Sequence, residues 1–157
     1  MGKAPIAAAR LPQEWRRIAE KRATQAGERL TPARLAAYAE LKASSKPLSA
    51  YELIARLERR QDRKIAPLTV YRHLDFLLRI GLIHRLQSTQ SYLVCDHPDE
   101  GHQSQYLLCS ECGSVDEVES ASVDKALGNA ASARGFTPQH ATVEVTGLCG
   151  NCTGAVS

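Results

Sequence analysis

Pro67-Leu-Thr-Val-Tyr-Arg-His-Leu-Asp-Phe-Leu-Leu-Arg79 sets Val70, Leu74, Leu77 and Leu78 on one face of a helix and turns Tyr71, Arg72, Asp75 and Arg79 elsewhere. The spacing predicts a helix over 68–79, opened by Pro67 and closed by Gly81. Upstream, Ser49-Ala-Tyr-Glu52 has the form of a capping box, which starts a helix through Arg59 with Leu53, Ile54 and Leu57 inward. Downstream, the apolar segments Leu82–Leu86 and Ser91–Cys95 flank Gln87-Ser-Thr-Gln90 and read as a β-hairpin. Helix, loop, helix, hairpin describes a winged helix-turn-helix. In that arrangement the later helix enters the major groove and the surrounding surface meets phosphates.

Two more helices precede this unit. Leu11, Trp15, Ile18, Ala19 and Ala23 recur at helical spacing before Gly27. Thr31 is placed as the N-cap of the next, with Pro32 at its first position and Leu30 able to staple against Leu35.

Charge supports a polyanionic partner. Through Ser91 there are 18 Lys and Arg against 8 Asp and Glu, a balance of +10; from Tyr92 onward there are 2 against 9, a balance of −7. A uniformly solvated surface does not explain that segregation. On helix 68–79, Arg72 has the reach to fork onto guanine O6 and N7, while Tyr51, Thr69 and Tyr71 are placed for phosphates or thymine methyls.

The acidic half carries Cys109-Ser-Glu-Cys112 and Cys149-Gly-Asn-Cys152, with 36 residues between the pairs. Two residues between cysteines let one turn aim both sulfurs at a single ion, so each pair is half of a four-thiolate zinc cage. Four thiolates close the coordination sphere and leave no place for water or substrate, which predicts a folding role. Neither pair lies in the strand-helix-strand setting of a redox motif. Around the cysteines, Gln103–Cys109, Val115–Glu119 and Ala141–Val145 read as strands and Ser122–Arg134 as a helix. A small antiparallel sheet with one helix results, and its edges favour pairing with a second copy. The overall class is α+β, with a winged-helix DNA-binding domain over 1–91, a hinge over 92–102 and a zinc-containing dimerisation domain over 103–157.

The fifth cysteine, Cys95, stands outside the cage, with His84, His97, His102 and Glu117 as neighbouring donors for a second metal. Thiolate with imidazole and one carboxylate suits zinc better than the harder ions that prefer oxygen. Asp116 and Glu119 flank Glu117 and compete with it, as His97 competes with His102; His73 and His140 read as structural. The first ten residues, Met1 to Arg10, lack the apolar core of a signal peptide, and Ile6 breaks the myristoylation pattern. The expectation is a cytoplasmic protein without a membrane span.

Leu30-Thr-Pro-Ala-Arg-Leu35, Ser49-Ala-Tyr-Glu-Leu53, Thr69-Val-Tyr-Arg72, Leu74-Asp-Phe-Leu77 and the Cys109/Cys112 pair resemble the ferric uptake regulator family over nearly the whole chain. Ser88-Thr-Gln-Ser-Tyr92, Cys95 and Gly147-Leu-Cys149 are most similar to its zinc-sensing members. The resemblance implies a homodimeric, metal-activated repressor that binds pseudo-palindromic A·T-rich operators. It also places His84, Cys95, His102 and Glu117 on regulatory zinc positions, for two zinc ions per chain, one structural and one regulatory. Cys95-Asp-His-Pro-Asp-Glu-Gly-His102 is one residue longer than the family pattern, which keeps His97 in competition.

Two alternatives remain at this point. Iron, manganese or peroxide sensing would keep the family, and the Cys95 thiolate argues against it. A zinc deaminase would need a His-x-Glu segment and a proline before its Cys-x-x-Cys; Leu108 precedes Cys109 and no His-x-Glu occurs. No nucleophile–base constellation or phosphate loop points to catalysis or to a small organic substrate.

Overall fold

The computed structural model describes residues 11–98, 103–139 and 141–154. The chain divides into two compact units, Met1–Glu100 and Gly101–Ser157.

The first unit begins with α1 (Gln13–Gln25), α2 (Pro32–Lys42), β1 (Leu48–Ser49), α3 (Ala50–Gln61) and α4 (Pro67–Arg79). The hairpin β2 (Ile83–Leu86) and β3 (Ser91–Val94) follows, and the sheet order is β1-β3-β2 with all pairings antiparallel. The helix ends obey their local chemistry. Gly27 and Gly81 adopt the left-handed conformation after α1 and α4. The Thr31 hydroxyl accepts from the Arg34 amide at the start of α2. At the start of α3, the Ser49 hydroxyl accepts from the Glu52 amide at 3.3 Å while the Glu52 carboxylate accepts from the Ser49 amide at 2.7 Å.

Those Ser49 contacts, the amide first and then the hydroxyl, hold the Glu52 carboxyl below its ordinary pKa. A depressed folded-state pKa contributes stability above the unfolded value and loses it as pH falls through the folded one. Ser49→Ala is therefore expected to cost about 1 kcal/mol near neutrality. In urea melts the part of its deficit due to the lost hydroxyl–carboxylate bond should fade as pH falls through the carboxylate range, while the part due to the lost hydroxyl–amide bond persists; wild-type stability in Ser49→Ala at neutral pH would count against the cap.

Val70, Leu74, Phe76 and Leu77 of α4 pack with Leu53 and Leu57 of α3, Leu35 and Tyr38 of α2 and Ile83 of β2 in a continuous core. Phe76 is more buried than Leu78 because it packs under Arg34, whose guanidinium lies 3.7 Å from the ring centroid. The Arg22 side chain donates to the Ile80 carbonyl at 2.8 Å, tying α1 to the C-terminal end of α4. Arg60 pairs with the buried Glu40, joining α3 to α2.

The second unit contains β4 (Ser104–Cys109), β5 (Val115–Val118), α5 (Ala121–Ser132), β6 (Thr142–Gly147) and α6 (Gly150–Thr153). Its sheet order is β5-β4-β6. The antiparallel pairing anticipated here holds for β4 with β5, whereas β4 and β6 run parallel from Ser104↔Thr142 to Cys109↔Gly147. Parallel neighbours need a long crossover, usually a helix, and α5 supplies it. Gln105 fastens that crossover, donating to Asp124 at 2.7 Å and to the Ser120 carbonyl at 3.2 Å.

Candidate metal centre and nucleic-acid interface

The parallel register is what assembles the cysteine site. Cys109 ends β4 opposite Gly147 at the end of β6, and the Ser110 amide donates to the Gly147 carbonyl at 2.9 Å. The second pair follows from Cys149 into α6. Each pair closes a tight turn, through Gly113 N–H to the Cys109 carbonyl at 3.0 Å and Cys152 N–H to the Cys149 carbonyl at 2.9 Å. Gly113 takes a φ of 71°, which a side chain would strain.

The sulfurs of Cys109, Cys112, Cys149 and Cys152 all lie within 4.8 Å of one another, and those of Cys112 and Cys149 are 3.8 Å apart. Tetrahedral zinc with sulfur at about 2.3 Å sets its ligands about 3.8 Å apart. Amide N–H groups of Cys112 and then Cys149 aim at the Cys109 sulfur and pull its pKa down to about 6. The Ser114 hydroxyl, 3.2 Å from Cys112, and then the Ser114 amide lower Cys112. Cys149 and then Cys109 push Cys152 up to about 12. A site that stabilises two thiolates while the crowding of sulfurs opposes another fits a divalent cation, whose charge favours deprotonation of every ligand. Ser114 had no signal in the sequence beyond lying two residues past Cys112.

Of the second donor set, two residues lie together in the first unit. His84 on β2 and Cys95, one residue past β3, offer ligand atoms within 4.8 Å of each other. Cys95 is buried and its amide donates to the Leu82 carbonyl at 3.0 Å. His97, the competitor of His102, is exposed. In the second unit, strand alternation puts Glu117, half-buried, on the opposite face of β5 from the exposed Asp116, and Glu119 lies past the strand. Tyr106 donates to Glu117 at 3.5 Å. His102 and His140 lie outside the described residues.

On α4 the exposed stripe is Leu68, Thr69, Tyr71, Arg72 and Asp75, opposite the buried Val70, Leu74 and Leu77. Arg79 is held by Glu28, whereas among the described residues no carboxylate pairs with Arg72. Tyr51, in the first turn of α3, is 79% exposed. Large aromatic surface left in water beside an unpaired guanidinium is the composition of a binding face.

The chain matches the ferric uptake regulator family over residues 25–146. It belongs to that family. Among similar members, the zinc uptake regulation protein of Escherichia coli (strain K12) is 38% identical over 141 residues, 89% of this chain and 82% of that protein. The zinc uptake regulation protein of Mycobacterium tuberculosis (strain ATCC 25618 / H37Rv) is 33% identical over 127 residues, 81% of this chain and 96% of that protein. A solved structure of a zinc uptake regulator complexed with zinc and DNA superposes with a TM-score of 0.84 at 36% identity, covering 91% of this chain and 95% of that one. Within this family member, no helix of the described residues is long and apolar enough to cross a membrane.

Proposed function

We propose that this chain is a zinc-responsive transcriptional repressor, which as a zinc-loaded homodimer binds pseudo-palindromic A·T-rich operators and controls genes of zinc uptake and homeostasis. The observation that carries the choice of signal is the soft pair His84 and Cys95, with donor atoms within 4.8 Å. A thiolate beside an imidazole suits zinc over the harder ions, iron and manganese. The zinc uptake regulators similar to this chain support the same reading.

Two zinc ions per chain serve separate purposes. Cys109, Cys112, Cys149 and Cys152 hold the structural one. His84, Cys95, His102 and Glu117 hold the regulatory one. A ligand shifts a conformational equilibrium only through differential affinity, and a donor set complete in one conformation of the chain has that property. Zinc and operator then strengthen each other's binding. We read the protein as a cytoplasmic regulator rather than an enzyme, and a cage with no open coordination position suits a structural ion rather than a catalytic one.

Self-association is supported by the second unit's unfinished core. No residue of α5 is buried, and Leu107 and Val145, opposite each other on β4 and β6, are 45% and 51% exposed. A second copy would cover this apolar surface and a sheet edge together. The DNA face is Tyr51, Thr69, Tyr71 and Arg72.

Cys95→Ser separates sensing from folding. It should stay a folded dimer with its structural zinc while zinc-dependent operator binding falls at least tenfold, the loss typical of a damaged metal shell. Zinc counting after mild chelation, sedimentation and zinc-titrated gel shifts test it together. Wild-type zinc uptake and operator binding in this variant would refute the regulatory assignment.

A further inference from the structure

Lys42, the last residue of α2, joins three elements of the first unit. Its ammonium lies 3.5 Å from the centre of the Trp15 ring on α1 and 3.3 Å from the carboxylate of Asp96. Asp96 immediately follows Cys95, whose own amide is fastened to Leu82. The cysteine backbone is thus held from the wing on one side and from α2 on the other. We propose that Lys42 is a positioning residue for Cys95, fixing the chain just past the sulfur, and that Trp15 reports zinc at that site.

This rests on Cys95 being a regulatory ligand. Ligation by a pre-oriented sulfur forfeits less chain entropy than ligation by a wandering one. Alone, the Lys42–Asp96 pair would contribute little, because the Asp96 side chain is 63% exposed. The aromatic face beneath the ammonium changes that: it restrains Lys42, only 26% exposed, so that its charge is already in place. Breaking the clamp should weaken regulatory zinc by about five- to tenfold, the combined scale of one partly exposed ion pair and one cation–π contact. Trp15 is the sole tryptophan, so its emission reads this corner of the molecule without interference.

The experiment titrates full-length protein, with its structural zinc in place, in chelator-buffered zinc while following Trp15 emission and bound metal. In wild type the second zinc equivalent should change the emission. Lys42→Met should weaken that equivalent about five- to tenfold and Asp96→Asn, which loses only the ion pair, about threefold; both should blunt the emission change, with far-ultraviolet circular dichroism and the first zinc unaltered. Lys42→Arg, which keeps a cation over the ring, should behave as wild type. Asp96→Asn leaves the Lys42–Trp15 stack untouched and remains decisive if Lys42→Met folds poorly. Second-site affinity within twofold of wild type in Asp96→Asn, or wild-type emission indifferent to the second zinc, overturns the proposal. Cys95→Ser separates the two failures: two zinc ions in that variant would refute the ligand reading, whereas one zinc there with wild-type affinity in Asp96→Asn would refute only the role of Lys42.

Discussion

Cys149→Ser is expected to yield a chain with one fewer zinc ion, an unfolded second unit and no dimer. Structural zinc in small metal-folded units contributes about 10–16 kcal/mol, as much as the whole stability of a typical domain. This unit has little else to fall back on. Beyond Leu108 and Tyr106 on β4 its buried apolar side chains are few, and α5 adds none. Cys149 also carries more than a ligand atom. Its amide donates to the Cys109 sulfur at 3.3 Å and its carbonyl accepts from Cys152 and Thr153, backbone contacts that serine keeps, so the substitution isolates the loss of the thiolate. Metal counting, sedimentation and near-ultraviolet circular dichroism are the readouts, and a dimeric Cys149→Ser protein with its full zinc content would refute the cage. The first unit should survive, because its core is closed by its own helices and hairpin.

Arg72→Ala is expected to cost about 1–3 kcal/mol per half-site if the guanidinium forks onto a guanine, and about twice that for a symmetric dimer on a two-fold site. The loss should fall on the specific operator and relax preference at one base pair. A phosphate contact behaves otherwise: specific and random duplexes weaken alike, and the salt slope drops by about one unit per contact. Binding to both duplexes at several salt concentrations separates the cases. Since Arg72 has no carboxylate partner among the described residues, its removal should leave the melting temperature unchanged; Arg79→Ala should lower it, because Arg79 ties α4 to Glu28. Unaltered binding of Arg72→Ala to both duplexes would move the DNA face away from α4.

The first unit was legible in the sequence almost element by element because its boundaries are written in local chemistry. Thr31-Pro32, Ser49 to Glu52, Pro67 and the glycines at 27 and 81 act within one helical turn. The four-cysteine set was legible for the same reason, since each Cys-x-x-Cys is a self-contained turn. What the sequence hid depends on distant partners. Two-residue β1 has no periodicity to detect and exists because Leu48 and Ser49 meet Tyr92 and Ser91. The alternation in Thr142–Val145 specifies a strand but not its direction; pairing with β4 across the α5 crossover decides that. Phe76 gave no sign that Arg34 would lie across its ring. Likewise Glu117 stood between Asp116 and Glu119 with equal chemistry, and only the pleat of β5 sets it apart.

The parallel pairing of β4 with β6 has a consequence in time. Cys109 and Cys112 emerge from the ribosome long before Cys149 and Cys152, and sit through that interval as half of a binding site. A pair of thiolates holds zinc far less firmly than a closed set, so the ion cannot lock the unit until the last ligand is made and β6 has travelled over the helix to lie along β4. Distant parallel contacts are slow to form because chain closure comes before its reward. With the proposed cage, capture of the structural ion would be a closing act of biogenesis, and every truncation upstream of Cys152 would yield a nascent protein unable to complete its clasp.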